Sequence, residues 1–189
     1  AVASEARTLA TAALPRRRLY LSAAAFALAT VAGVSLGVYL VPILIEQGFD
    51  ARFAAWIAGA IGVGQVVGRI GFTALRPRYS LAFWSAVLFL PGALGLLWLA
   101  LRPPAALVWP AVLLFAVASG AQTLGRATWT LELFELRDFA RVNGVLGLWS
   151  LIGRAGAPLA LGAAHDLCGS HGPGLMALAS LCALAGLCA

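Results

Sequence analysis

Four stretches of this 189-residue chain run for more than 20 residues without Asp, Glu, Lys or Arg: 19–45, 79–101, 103–125 and 167–189. A hydrocarbon core about 30 Å thick is crossed by about 20 helical residues, and only helices or closed barrels satisfy the backbone there. Two more runs, 53–75 and 142–164, reach that length once Arg69 and Arg154 are accepted inside them. The sequence therefore predicts six membrane-spanning helices, A to F in chain order, with residues 1–18 as a polar lead-in and 19–189 as one transmembrane domain. The run 19–45 is far longer than a 7–15-residue signal core, so it reads as a span despite Arg16-Arg17-Arg18 ahead of it.

Composition agrees with this class. Hydrophobic residues make up 62% and charged residues 11%, where soluble domains carry about 25% charged. An ordinary soluble enzyme, a disordered chain and a disulfide-stapled module are excluded. The net charge of +6 comes from 13 Arg with no Lys. These arginines fall mostly between apolar runs, where they set orientation in the bilayer and do not bind nucleic acid. Arg7, Arg16, Arg17, Arg18, Arg76, Arg78, Arg126, Arg137 and Arg141 share one side against Arg52 and Arg102 on the other, which predicts both ends in the cytoplasm. A cell membrane, with a bacterial inner membrane as its setting, is the expected location. Cys168, Cys182 and Cys188 lack any framework spacing and read as reduced packing residues.

The two halves also resemble one another. Val66-Val67-Gly68-Arg69-Ile70-Gly71 in span B is matched by Leu151-Ile152-Gly153-Arg154-Ala155-Gly156 in span E, 85 residues later. Three-span units in series have opposite orientation, so the expected architecture is an inverted 3+3 repeat of the kind found in transporter halves.

Charges inside spans mark the candidate site. Arg69 and Arg154 each carry an insertion penalty of about 2.5–3.5 kcal/mol at a helix centre, so each faces a partner or a wet cavity unless it snorkels to an interface. Snorkelling is the stronger alternative for Arg69, which lies six residues from the end of span B. Span D carries Ser119, Gln122, Thr123, Arg126 and Thr130 on one helical face, either lining an aqueous vestibule or forming a solvated helix end. Tyr39, Gln65, Gln122 and Asn143 are further pathway candidates. Gly33, Gly37, Gly64 and Gly68 are expected to let helices approach closely, and Pro42, Pro91 and Pro158 to kink theirs. His165, Cys168 and His171, with Asp166, have metal-ligand chemistry, but no second ligand pair closes a site, so no metal is assigned. No cofactor fingerprint or paired carboxylate is present.

In order and spacing, these pieces resemble the C-terminal six-helix half of a major facilitator superfamily transporter. Gly37-Val38-Tyr39-Leu40-Val41-Pro42, followed by Glu46-Gln47-Gly48-Phe49, is similar to the seventh helix and its exit. Gly62-x-Gly64-Gln65-x-x-Gly68-Arg69 resembles the eighth helix, and Glu132-Leu133-Phe134 leading to Asn143-Gly144 the tenth into the eleventh. Gly162-x-x-x-Asp166-x-x-Gly169-Ser170 is similar to the signature turn before the last helix, and residues 1–18 to the end of the central cytoplasmic linker.

The resemblance implies a secondary transporter that moves a small solute by alternating access and has a six-helix N-terminal half as partner. With two arginines within spans and no deep carboxylate partner, that solute, or a counter-charge in the other half, is expected to be anionic. Arg69, Arg154, Gln65, Tyr39, Gln122 and Asn143 would be its substrate or gating residues. Gly71, Arg76 and Arg78 would form its cytoplasmic loop motif. Two departures matter: Leu75 stands where that motif has Asp, and Gln65 stands where the monocarboxylate-transporter branch has an acid four residues before its Arg. The gating and coupling attributed to those acids do not carry over. A rhomboid-like protease using Ser119 and His171, and a non-transporting six-helix scaffold, are the alternatives.

Overall fold

The computed structural model describes residues 16–79, 81–133 and 139–188, with side chains described from Tyr20 onward except at 81, 82, 133, 187 and 188. Most of the expected lead-in, and Phe134, Glu135, Arg137 and Asp138 of the D–E connection, lie outside them.

Among the described residues there are six α-helices and no strand: α1 (Arg16–Glu46), α2 (Ala51–Leu75), α3 (Leu81–Ala100), α4 (Ala105–Leu133), α5 (Phe139–Cys168) and α6 (Gly172–Cys188), with a 3₁₀ turn at Arg76–Arg78. Five of them are long and apolar enough to cross a membrane. The sixth differs from expectation. It has 17 residues, about 25 Å of helix, because α5 runs on to Cys168 and the turn after it takes residues expected for span F. Gly169, at φ 68°, makes that turn and closes α5 by donating its N–H to the His165 carbonyl at 2.7 Å.

Helix ends shift elsewhere for local reasons. The described part of α1 is already helical at Arg16, three residues ahead of the expected start of span A. α4 continues eight residues past the end of the charge-free run at 125, so the span D stripe is helical through Thr130, as its spacing requires, and Glu132 is helical too. No Gly or Pro interrupts residues 126–133, and Thr128 and Thr130 return their hydroxyls to the carbonyls of Leu124 and Arg126. At the start of α2, Asp50 caps the Phe53 N–H at 2.9 Å.

In the packing, α1 lies against α5, α6 and α2, while α4 lies against α2 and α3, and α3 meets α6. The α2–α4 crossing is nearly backbone on backbone. A Cβ on Gly68 would sit 2.0 Å from the Val117 carbonyl oxygen, and one on Gly120 would sit 2.1 Å from the Gln65 carbonyl oxygen. At the α1–α5 crossing, a Cβ on Gly153 would meet Val31 at 3.0 Å and the Ala27 carbonyl at 3.3 Å. Gly64 and Gly68 thus do the expected packing work. Gly37 does not, having nothing within 4 Å of its Cβ position, while Gly33 faces the Ser119 hydroxyl at ordinary contact distance.

The core divides into two clusters. One gathers Leu36, Leu40, Ile43, Leu44, Leu96 and Leu175; the other surrounds the edge-to-face contacts of Phe26 with Phe89 and Trp129. Outward faces remain apolar, as with Trp56, Val63, Val67 and Ile70 on α2 and Leu148, Leu151, Ile152 and Leu159 on α5.

Candidate functional site: an arginine-lined cavity

Pro158 lies inside α5 and has no N–H to give to the Arg154 carbonyl, which loosens the helix just beyond Arg154. Two α1 side chains one turn apart grip this place: Ser35 donates to the Ala157 carbonyl at 3.2 Å and Tyr39 to the Pro158 carbonyl at 3.1 Å. Gly162 leaves room for the phenol, since a Cβ there would lie 2.9 Å from its hydroxyl. These contacts hold the α5 segment that carries Arg154 against α1.

Arg154 lines a cavity of about 340 Å³ between α1, α2, α4 and α5, together with Arg69, Arg126, Gln65, Ser119, Gln122, Thr123 and Thr30. Three arginines from three helices line this space, and no acidic residue is among the described residues that line it. Among the described residues, neither Arg69, Arg126 nor Arg154 pairs with a carboxylate. The volume falls in the range of small-molecule pockets, about 300–1,000 Å³. A planar guanidinium offers fork-shaped donors, so several of them around a polar cavity suit an anion with two or more oxygens.

Of the expected pathway residues, Arg69, Arg154, Gln65 and Gln122 meet at this cavity, and the span D stripe lines it through Ser119, Gln122, Thr123 and Arg126. The Gln122 amide also donates to the Leu88 carbonyl of α3. Tyr39 and Asn143 are not among its lining residues. Tyr39 is turned to Pro158 and packs its ring on His171, with centroids 5.6 Å apart. Asn143 belongs to the first turns of α5, about 16 Å of helix before Arg154 at 1.5 Å per residue. Thr30 carries no sequence signal, being a single hydroxyl in an apolar run.

The two ends of the bundle carry different polar groups. At one, Arg76 of the 3₁₀ turn pairs with Glu132 of α4 and also donates to the Tyr79 carbonyl. Arg76 thus finds its acid on another helix, while its neighbour Leu75 is exposed and apolar. Arg78 is exposed, and Gly71 has open space around its Cβ position.

At the opposite end, Glu46 closes α1 and accepts from Arg102 at 2.9 Å, from the His171 N–H at 3.1 Å and from the His171 ring. His165 stacks on His171 with ring centroids 4.1 Å apart. The two histidines beside the turn between α5 and α6 thereby gain a third ligand-type group from α1. Cys168 and Asp166, by contrast, are exposed and stand outside this cluster. Ser119 and His171 belong to different regions, since Ser119 faces Gly33 while His171 faces Glu46, about 20 Å further along α1. A serine–histidine dyad is not assembled.

Neither a protein-family profile nor a curated protein matches this chain.

Proposed function

We propose that this chain is the C-terminal six-helix half of a secondary transporter of the major facilitator type, moving a small anionic solute across the cell membrane by alternating access. The observation that carries the reading is the convergence of Arg69, Arg126 and Arg154 on one cavity without a carboxylate among its lining residues. An unpaired cation held at membrane depth is unfavourable unless water or an anion compensates it. A cavity lined by one sign of charge also raises the local concentration of the opposite sign.

The packing supports an inverted 3+3 arrangement. Exchanging α1, α2 and α3 for α4, α5 and α6 turns the α2–α4 contact into α5–α1 and the α3–α4 contact into α6–α1, while α3–α6 maps onto itself. Gly68 and Gly153 are counterparts under the same exchange. Each sits at a tight crossing, and each precedes an arginine of the cavity. The cavity is walled by α1, α2, α4 and α5 and leaves α3 and α6 on the far side. The remaining apolar surface of α2 and α5 is then divided between lipid and the partner half. With the arginine-rich end in the cytoplasm, the cavity approaches the cytoplasmic side through Arg126, less than two turns from Glu132.

Uptake by cells that co-express this chain with its N-terminal six-helix half, measured across anionic, neutral and cationic solutes, tests the proposal. Anions are expected to be preferred. Arg154→Ala should abolish transport and Arg154→Lys weaken it, with membrane insertion intact in both. Wild-type rates in Arg154→Ala, or a preference for cations, would refute it.

A further inference from the structure

The helix ends opposite the Arg76–Glu132 pair bring a glutamate together with two histidines that lie more than 100 residues further along the chain. Glu46 ends α1, His165 lies in the last turn of α5, and His171 precedes α6. One donor atom from each lies within 4.8 Å of the others. In a four-coordinate zinc site with bonds of about 2.0–2.2 Å, neighbouring donors are about 3.4 Å apart, so adjustments of about 1 Å would seat an ion.

The burial is graded as an accessible site requires: the side chains of His171, Glu46 and His165 are 8%, 25% and 37% exposed. His165 supplies an independent sign of a missing ligand. Its Nδ1 is enclosed yet has no hydrogen-bond partner, and the Glu46 Oε2 stands 3.9 Å away, beyond bonding reach. An enclosed ring nitrogen without a partner is unfavourable, and a coordinated cation would satisfy it. Two neutral imidazoles and one carboxylate can share a dication. Arg102 engages the other carboxylate oxygen, Oε1, and so orients Oε2 toward the imidazoles.

We propose that Glu46, His165 and His171 form a binding site for a borderline divalent transition ion such as Zn²⁺, with water completing its coordination. Two imidazoles and one carboxylate match zinc-type ions, while calcium and magnesium favour all-oxygen sets. Bound there, the ion ties α1, α5 and α6 together at the end away from the arginine cavity. This assignment does not depend on the transport reading.

The test uses the whole chain in detergent, purified through a tag without histidine, stripped with chelator and titrated with Co²⁺. Expected are saturable one-to-one binding, the visible absorption of a low-coordinate ion without a thiolate band, and displacement by Zn²⁺. His165→Ala and Glu46→Gln should each weaken binding by more than the roughly 10–100-fold loss that outer-shell changes cause. Cys168→Ser and Asp166→Asn should bind as wild type does. Zn²⁺ should raise the melting temperature of wild type but not of His165→Ala.

His165→Ala keeps the test sound if Glu46→Gln misfolds, because its ring is partly exposed and holds no hydrogen bond; its metal-free melting should match wild type. Absence of saturable binding, as expected of a cluster that holds only a proton, would overturn the proposal. So would wild-type affinity in His165→Ala, or loss of binding in Cys168→Ser.

Discussion

Gly68→Ala isolates the contact on which the position of Arg69 depends. The new Cβ would lie 2.0 Å from the Val117 oxygen, 2.9 Å from its carbon and 3.1 Å from the Ala121 nitrogen. All three are backbone atoms, so no side chain can swing aside. Relief requires α2 and α4 to separate by about 1 Å, a gap that forfeits roughly a quarter to a half of each dispersion contact along the crossing. Overpacking of this kind costs about 1–3 kcal/mol, and backbone neighbours place it at the upper end. Alanine returns about 1 kcal/mol of helix propensity, leaving a net loss of about 2 kcal/mol.

Gly71→Ala is the internal control, three residues along the same helix with nothing within 4 Å. It gains the propensity without the clash and should be stabilised by up to about 1 kcal/mol. For a chain of this size, Gly68→Ala should therefore melt about 4–8 °C below wild type and Gly71→Ala at or above it. Thermal unfolding in detergent, followed by near-ultraviolet circular dichroism, reads this through Trp84 and Trp129, both buried. Equal melting temperatures for the two variants would refute the α2–α4 contact and, with it, the placement of Arg69 beside Arg126.

Two other predictions follow from the same geometry. Tyr39→Phe should destabilise by about 1 kcal/mol through loss of its bond to the Pro158 carbonyl, with Ser35→Ala costing a similar amount, both measured by thermal melting. In intact cells and a cysteine-free background, single cysteines at Gln47 and Gly172 should react with an impermeant thiol reagent added outside, whereas one at Arg78 should be shielded; the reverse pattern would invert the orientation.

The all-helical class, and five of the six expected apolar helices long enough to cross a membrane among the described residues, were legible in the sequence, because the length of an apolar run and the need to satisfy a backbone in lipid are properties of contiguous residues. The helix ends were less so. The charge-free run ends at 125, yet α4 continues through Arg126 and Glu132, since threonine hydroxyls bond within the helix and no Gly or Pro there breaks it. Arg69 and Arg154 stood out singly because a cation within an apolar run is unfavourable wherever that run lies in space.

Their meeting with Arg126 could not be read from the chain. It depends on how closely α2 approaches α4 and α5 approaches α1, and therefore on which glycines face a neighbouring backbone and which, like Gly37, face nothing. Tyr39 shows the same limit. It was a pathway candidate in the sequence, but the Pro158 carbonyl of α5 takes its hydroxyl. Glu46 shows it most fully: two histidines six residues apart gave half a ligand set, and the carboxylate that joins them comes from 119 and 125 residues away. Local chemistry determined which residues could not be left alone in a membrane, and helix packing decided which of them meet, because contact energy depends on distances that sequence separation does not encode.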